Sequence, residues 1–244
     1  MNKCECRNEI EVLGTVTSEP VEKNTYKNVV FYEFGLSSTR LSGVPDNYRV
    51  RISNHMLDDC DYLKNGQKVK IYGSIQTFIE KKEGEERGKQ AIFVMVNSIS
   101  KASEDDMDIC DVDIKGFLCR VRDERRTRST DMKITDFIIA CNRRGRKCDY
   151  IPSIAWNKLS NFIQKDLMIG DVIACRGRLQ SRVYRKQDSD GEWKDIEINE
   201  FCISSCQLVR KGKRHLIEDG EYVEQEEKVE EGNDAAETSE TTEE

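Results

Sequence analysis

CDYIPSIAWNKLSNFIQKDLMIGDVIACRGRLQSRVYRK, residues Cys148–Lys186, holds two strand-like runs on either side of a helix-like one. Its last strand alternates. Arg176, Arg178, Gln180, Arg182 and Tyr184 take even positions, while Ile173, Cys175, Gly177, Leu179, Ser181 and Val183 take odd ones. Successive side chains on a strand point to opposite faces, so one face is basic and aromatic and the other apolar or small. A solvated antiparallel face is the ordinary explanation for charges on a strand, yet such a face has no reason to exclude Asp and Glu. Three arginines and a tyrosine in one row suit a phosphate backbone with a base stacked beside it.

Outward from this segment the chain repeats itself. Gly14 in IEVLGTV and Gly116 in VDIKGFL are 102 positions apart; Gly66 and Gly170, like Gly73 and Gly177, are 104 apart. Tyr48 in DNYRVRIS is matched to Tyr150 in CDYIPSIAW at a spacing of 102. A duplication of this length sets two domains. Each copy reads as a glycine-bearing strand, a variable loop, two further strands, a helix (54–63 and 157–167), a fourth strand, a charged hairpin and a last strand. Five short strands with one helix between the third and fourth describe a Greek-key OB barrel. The expectation is an all-β chain of two tandem OB-fold barrels: a first domain over 8–100, a linker over 100–108, a second domain over 109–212, and a disordered acidic C-terminal tail over 215–244.

The net charge of −7 hides this division: residues 1–107 carry −2, 108–214 carry +7 and 215–244 carry −12. A basic module therefore sits between a near-neutral one and an acidic tail. No run of about 18 apolar residues occurs, and the opening MNKCECRNEI has no apolar core, so neither a membrane span nor a secretory signal is expected and the location reads as cytoplasmic. Ten cysteines lack the spacing of a disulfide framework, and Cys119, Cys141, Cys175, Cys202 and Cys206 fall in strands, which suits reduced, mostly buried thiols. With only Cys4-x-Cys6, Cys202-x3-Cys206, His55 and His215 available, no metal or other cofactor is expected. Nucleotide-binding, nucleophile-elbow and metalloprotease motifs are all missing, so the chain does not read as an enzyme.

IIACNRR (138–144), DYIPSIAWNKLSNFIQKDLMIGD (149–171) and CRGRLQSRVYRK (175–186) resemble the bacterial single-stranded DNA-binding protein family. Residues 112–209 carry the resemblance; residues 8–100 keep only the glycines and LKNGQKVKIYGSIQT. The resemblance implies an OB fold that binds single strands without sequence preference. It also implies assemblies holding four OB folds, so a two-copy chain is expected to form a homodimer. Stacking aromatics of the family fall at Tyr150, Trp156 and Tyr184, and Trp193 sits beside the turn of a charged hairpin. A core role for Trp156 stands as an equal alternative. Arg143, Arg144, Arg146 and Lys147 form one basic loop, and Arg120, Arg122, Arg125, Arg126 and Arg128 follow the first strand. Together with Arg176, Arg178, Arg182 and Arg185 they would make an electrostatic funnel for phosphates.

Three features depart from the family pattern. Gly145 replaces an aromatic, and the first copy has Leu41, Asn54 and Glu80 at the positions assigned to Gly145, Trp156 and Tyr184. The first copy's face Tyr72, Ser74, Gln76, Phe78, Glu80 carries no cation, so it reads as a weak binder or an assembly partner. The end, AAETSETTEE, lacks the apolar tip with which the family's tails dock on genome-maintenance proteins. The expected function is to coat single-stranded DNA during replication, recombination or repair, in association with the nucleoid. Stacking and phosphate contacts would serve RNA equally. The alternative is a replication or primosome accessory protein that uses its OB folds for protein–protein assembly.

Overall fold

Strands in both halves follow the period-2 burial that their apolar residues dictate. The computed structural model describes residues 6–80, 88–127, 130–143, 147–187 and 191–212; the acidic segment from 215 onward lies outside the described residues. In the first half, β1 (Arg7–Val16), β2 (Val21–Tyr26), β3 (Val29–Thr39), β4 (Pro45–Ser53), α1 (Asn54–Leu57), β5 (Lys68–Glu80) and β6 (Lys89–Lys101) follow one another. The second half repeats the series as β7 (Ile109–Val121), β8 (Arg125–Arg126), β9 (Lys133–Asn142), β10 (Cys148–Trp156), α2 (Asn157–Lys165), β11 (Val172–Gln187) and β12 (Trp193–Arg210).

Pairing runs β3-β4-β6-β5-β1 in the first half and β7-β11-β12-β10-β9 in the second, and β3 returns to β1 as β9 returns to β7. Each half is thus a closed five-stranded barrel with one parallel pairing, β4 with β6 and β10 with β12. This is the OB architecture expected from the strand count. β2 and β8 are additional short strands on β3 and β9, in the segments read from sequence as variable loops. VEKNTY, exposed at every position, shows no alternation, and only its two-residue turn at Lys27 and Asn28, both at positive φ, marks it as a hairpin arm.

The helices are unequal. α2 spans nine residues and buries Ser160 and Ile163, whereas α1 stops after four, well short of the 54–63 expectation. Asp58, Asp59 and Asp61 follow α1 directly. Acidic side chains oppose the negative end of a helix and favour turns, so the chain continues as turns closed by Cys60 N–H to the Leu57 carbonyl and Leu63 N–H to the Cys60 carbonyl.

One alignment of the repeat is corrected. Gly73 and Gly177 do correspond: at each, an added Cβ would meet a backbone carbonyl oxygen across the strand, at 2.3 Å from Met95 and 2.1 Å from Cys202. β4 and β10, however, superpose at a spacing of 103. Val50 pairs in parallel with Val94, and Ser153 with Phe201. Asn47 therefore corresponds to Tyr150, Ser53 rather than Asn54 to Trp156, and Tyr48 to Ile151. A one-residue shift turns every side chain to the other face. Accordingly Tyr48 is buried and Tyr150 exposed.

The two barrels share a ladder. β1 pairs antiparallel with β7 from Arg7↔Lys115 to Leu13↔Ile109, and Ile10 faces its own repeat counterpart, Val112. The ladder is thus an internal twofold that makes one twelve-stranded sheet of both barrels. Ile10, Val12, Val112 and Ile114 are buried along it, each contributing roughly 1.5–3 kcal/mol. Two polar locks flank the ladder. On one side Asp46, buried, accepts from Arg40 Nε (2.8 Å) and Nη2 (2.6 Å) and from the Ser181 N–H (2.7 Å); Asn47 N–H donates to Ser181 Oγ (3.0 Å) and Tyr48 O–H to the Leu179 carbonyl (2.7 Å). On the other side Asp149 accepts from the Thr77 N–H (2.8 Å), and Tyr150 N–H donates to Thr77 Oγ1 (3.0 Å). Arg143, the repeat counterpart of Arg40, approaches Asp149 Oδ2 with Nε at 2.8 Å. That contact is out of hydrogen-bonding alignment, and both atoms are left without a hydrogen-bond partner.

Candidate nucleic-acid interface

The basic strand keeps its alternation as far as Leu179; beyond it Gln180 is buried against Glu200 and Val183 is exposed. Ile173, Cys175 and Leu179 are buried, while Arg176, Arg182, Tyr184 and Arg185 are exposed and Arg178 is half-buried. The irregularity between Arg176 and Gly177 places the extra residue, Ser204, on β12, so the parity of β11 is undisturbed. The Arg182 guanidinium lies 5.8 Å from the Tyr184 ring centre.

What β11 excludes, its neighbours supply. Arg176 pairs with Asp113 on β7 (3.2 Å), Arg182 with Glu200 on β12 (3.0 Å) and Arg185 with Asp195 on β12 (3.0 Å). Asp113 also receives Arg7 at 2.6 Å. Of the three β11 pairs, Arg185–Asp195 is exposed on both sides and worth about 0–1 kcal/mol. Asp113 and Glu200 are 17% and 8% exposed, while the Arg176 and Arg182 side chains stay open to solvent at 68% and 47%, within reach of a phosphate.

Across the sheet, Asp136 on β9, Ile154 on β10, Cys202 on β12 and Arg178 on β11 form one row of partners. Trp156 lies at the end of β10, half-buried, with its side chain hydrogen-bonded to Cys202. Burial pushes the Cys202 thiol up, and the bond from Trp156 acts against that. Arg125 reaches over the same face to Asp136 with two bonds, Nε at 2.9 Å and Nη2 at 3.0 Å. Trp156, Arg125, Arg178, Arg182 and Tyr184 thus share the outer face of the second barrel. Trp193, two-thirds exposed, and Arg185 stand on the outer part of the β11–β12 hairpin.

The remaining candidates are elsewhere. Tyr150 is exposed at the seam, its carbonyl receiving Gln90 of the first barrel. Lys147 is exposed, with its ammonium 5.0 Å from the ring of Tyr26 on the first barrel's hairpin. Arg143 serves the lock, contacting Asp149 and donating to Gln76 Oε1 at 2.5 Å. Arg120 and Arg122 are exposed at and just beyond the end of β7. Arg128, Arg144 and Arg146 lie outside the described residues. Of the thiols, Cys60 and Cys175 are buried but Cys119 is exposed, so the expectation of mostly buried cysteines holds only in part.

The first barrel's face differs from its sequence reading. Its β5 row carries no arginine, but β4 delivers two. Arg51 lies 4.4 Å from the Phe78 ring centre and 4.3 Å from that of Phe93, and Arg49 lies 5.6 Å from Phe78. Glu33 on β3 binds both Arg49 (3.0 Å) and Arg51 (2.9 Å), and Glu80 binds Arg49 at 2.6 Å. Burial pushes the Glu33 carboxyl up, but the bonds and charges of Arg49 and Arg51 prevail and hold it below its usual value. The bond from Arg49 lowers Glu80. The signal was in the sequence: Arg49 and Arg51 share the outward parity of β4 once the register is right.

Two closed OB barrels, one bearing an open basic–aromatic face, define the class. Residues 111–209 match the single-strand binding protein family. Single-stranded DNA-binding protein 2 of Chlorobaculum tepidum is 30% identical over 122 residues, covering 47% of this chain and 80% of that protein. The chain belongs to the single-strand binding protein family. Its fold is similar to that of the wild-type single-stranded DNA binding protein from Thermus aquaticus, with a TM-score of 0.65 at 20% identity, covering 88% of this chain and 97% of that one. A deletion mutant of the same protein gives a TM-score of 0.64 over the same shares.

Proposed function

We propose that the chain binds single-stranded DNA without sequence preference, in replication, recombination or repair, chiefly through the second barrel. Family membership supports strand binding, and one observation supports its placement: Arg182, Tyr184, Arg178, Arg125 and Trp156 share a face on which Arg182 and Arg125 each meet one carboxylate and keep about half of their side chains open to solvent. Bases stack on Trp156, Tyr184 and Trp193, each worth about 1–3 kcal/mol, and Tyr150 extends the row to the seam. Arg176, Arg182, Arg185, Arg120, Arg122 and Lys147 meet phosphates. Arg143 is assigned to holding the barrels together. Two chains would bring four barrels into one particle, which sedimentation can measure.

Titration of tryptophan fluorescence with poly(dT) at several salt concentrations tests this reading. Quenching is expected, with log affinity falling with log salt by roughly 0.7 per phosphate neutralised. Tyr184→Ala with Arg182→Ala should weaken binding by about ten- to a hundredfold, from the loss of one stack and one phosphate contact. Absence of salt-dependent binding in the unmodified chain rejects the proposal.

A further inference from the structure

The first barrel has not lost the chemistry of the second; it has exchanged it between strands. By repeat position Phe78 stands for Arg182, Phe93 for Glu200, Arg51 for Ile154, Arg49 for Pro152 and Glu80 for Tyr184. Two arginines and two aromatic rings therefore remain on the face that corresponds to the strand-binding face of its partner barrel. Their state is different. In the second barrel Arg176, Arg182 and Arg185 each meet one carboxylate and stay about half-exposed or more, at 68%, 47% and 75%, while Arg178 is half-buried. In the first, Arg49 makes four bonds to two carboxylates, at 3.0 and 3.1 Å to Glu33 and 3.0 and 2.6 Å to Glu80. Arg51 is 14% exposed and its carboxylate, Glu33, 11%. Charge-assisted bonds of this kind are the strong ones. The ring faces are occupied too, because the Arg51 guanidinium lies over both Phe78 and Phe93.

We infer that Glu33 and Glu80 occupy the phosphate positions of the first barrel and Arg51 its stacking surface, so that these two carboxylates fix how much single-stranded DNA one chain engages. A strand arriving here must displace two carboxylates from a bidentate arginine and lift a guanidinium from two rings. On the second barrel it meets β11 arginines that are about half-exposed or more, each held by a single carboxylate. The inference rests on the strand-binding reading of the second barrel, and it names the residues that confine binding to that barrel.

The test compares the full chain with Glu33→Gln/Glu80→Gln, in which the amides keep the shape and lose the charge. Two arginines become available, so the salt slope should steepen by about 1.4, or roughly 0.7 per arginine, and the number of dT nucleotides occluded per chain should rise. Adding Arg49→Ala and Arg51→Ala to the double variant should remove both gains. An unchanged slope and unchanged site size in a folded double variant overturn the inference. If circular dichroism shows that the double variant has not folded, Glu80→Gln alone decides, since that carboxylate is 40% exposed and bonds Arg49. Arg49 keeps its bonds to Glu33, so a slope steeper by up to about 0.7 supports the inference and no change overturns it. Failure of the strand-binding reading is a separate result: the unmodified chain then shows no salt-dependent binding, and the carboxylates are judged by whether the double variant acquires it.

Discussion

Replacing Asp46 by alanine should separate the two barrels energetically while leaving each barrel's core intact. Asp46 is 2% exposed and is the acceptor for both Arg40 nitrogens and for the Ser181 N–H of the other barrel. Breaking a buried pair by deleting one partner costs about 3–5 kcal/mol. Arg40, at 20% exposure, can recruit some water, which puts that part near the low end. The orphaned Ser181 N–H adds about 1–3 kcal/mol. The expected loss is therefore about 4–6 kcal/mol, and about 2 kcal/mol for Asp46→Asn, which keeps an acceptor for the N–H. Urea unfolding at neutral pH reads both. The counterpart lock behaves differently, because Arg143 Nε and Asp149 Oδ2 approach without aligning. Desolvation by burial there outweighs the Thr77 bonds and the Arg143 charge and raises the Asp149 carboxyl above its usual value. A carboxyl raised on folding supports stability in its protonated form, at low pH, and that support is lost as pH rises through the folded value. At neutral pH Asp149→Asn should thus be neutral or slightly stabilising, since it still accepts from the Thr77 N–H. An Asp46→Ala loss below about 1.5 kcal/mol, or equal costs for Asp46→Asn and Asp149→Asn, refutes this account of the seam.

Gly177→Ala would place a methyl 2.1 Å from the Cys202 carbonyl oxygen, a backbone atom that cannot swing away; a loss of about 3 kcal/mol or more is expected in thermal melts. Tyr48→Phe removes the 2.7 Å bond to the Leu179 carbonyl from a buried site, and should cost about 1 kcal/mol in urea with no change in m-value. Glu33 and Glu80 are both lowered on folding from the usual 4.5. Their contribution is therefore complete above that value and lost as pH falls through the folded ones. Melting temperatures taken downward from about pH 6 should fall less steeply for Glu33→Gln/Glu80→Gln than for the unmodified chain; identical profiles would reject the strong pairing.

Period-2 alternation and the paired glycines at 14 and 116, 66 and 170, and 73 and 177 determined from sequence alone that the chain is two copies of one barrel. A strand's faces follow from its own parity, and Gly66 and Gly170 answer a local need, their own positive φ. The glycines at 14, 73, 116 and 177 stand where a carbonyl of another strand leaves no room for a Cβ, a tertiary cause whose trace is still a residue type visible in sequence. The same parity placed Arg182 and Tyr184 together. What lies opposite a strand is not local, and only the tertiary structure decided it. Asp113, Asp195 and Glu200 reach the β11 arginines from strands 63, 10 and 18 residues away. Tyr48 and Tyr150 looked equivalent until the β4–β6 and β10–β12 pairings fixed a register one residue different. Arg143 looked like part of a basic loop, and the β1–β7 ladder brought the first barrel's Gln76 against it. The proposed strand-binding face was legible because one strand carries most of it. The first barrel's Arg–Phe–Glu cluster was not, because four strands, β3 to β6, must close around it before its charges meet.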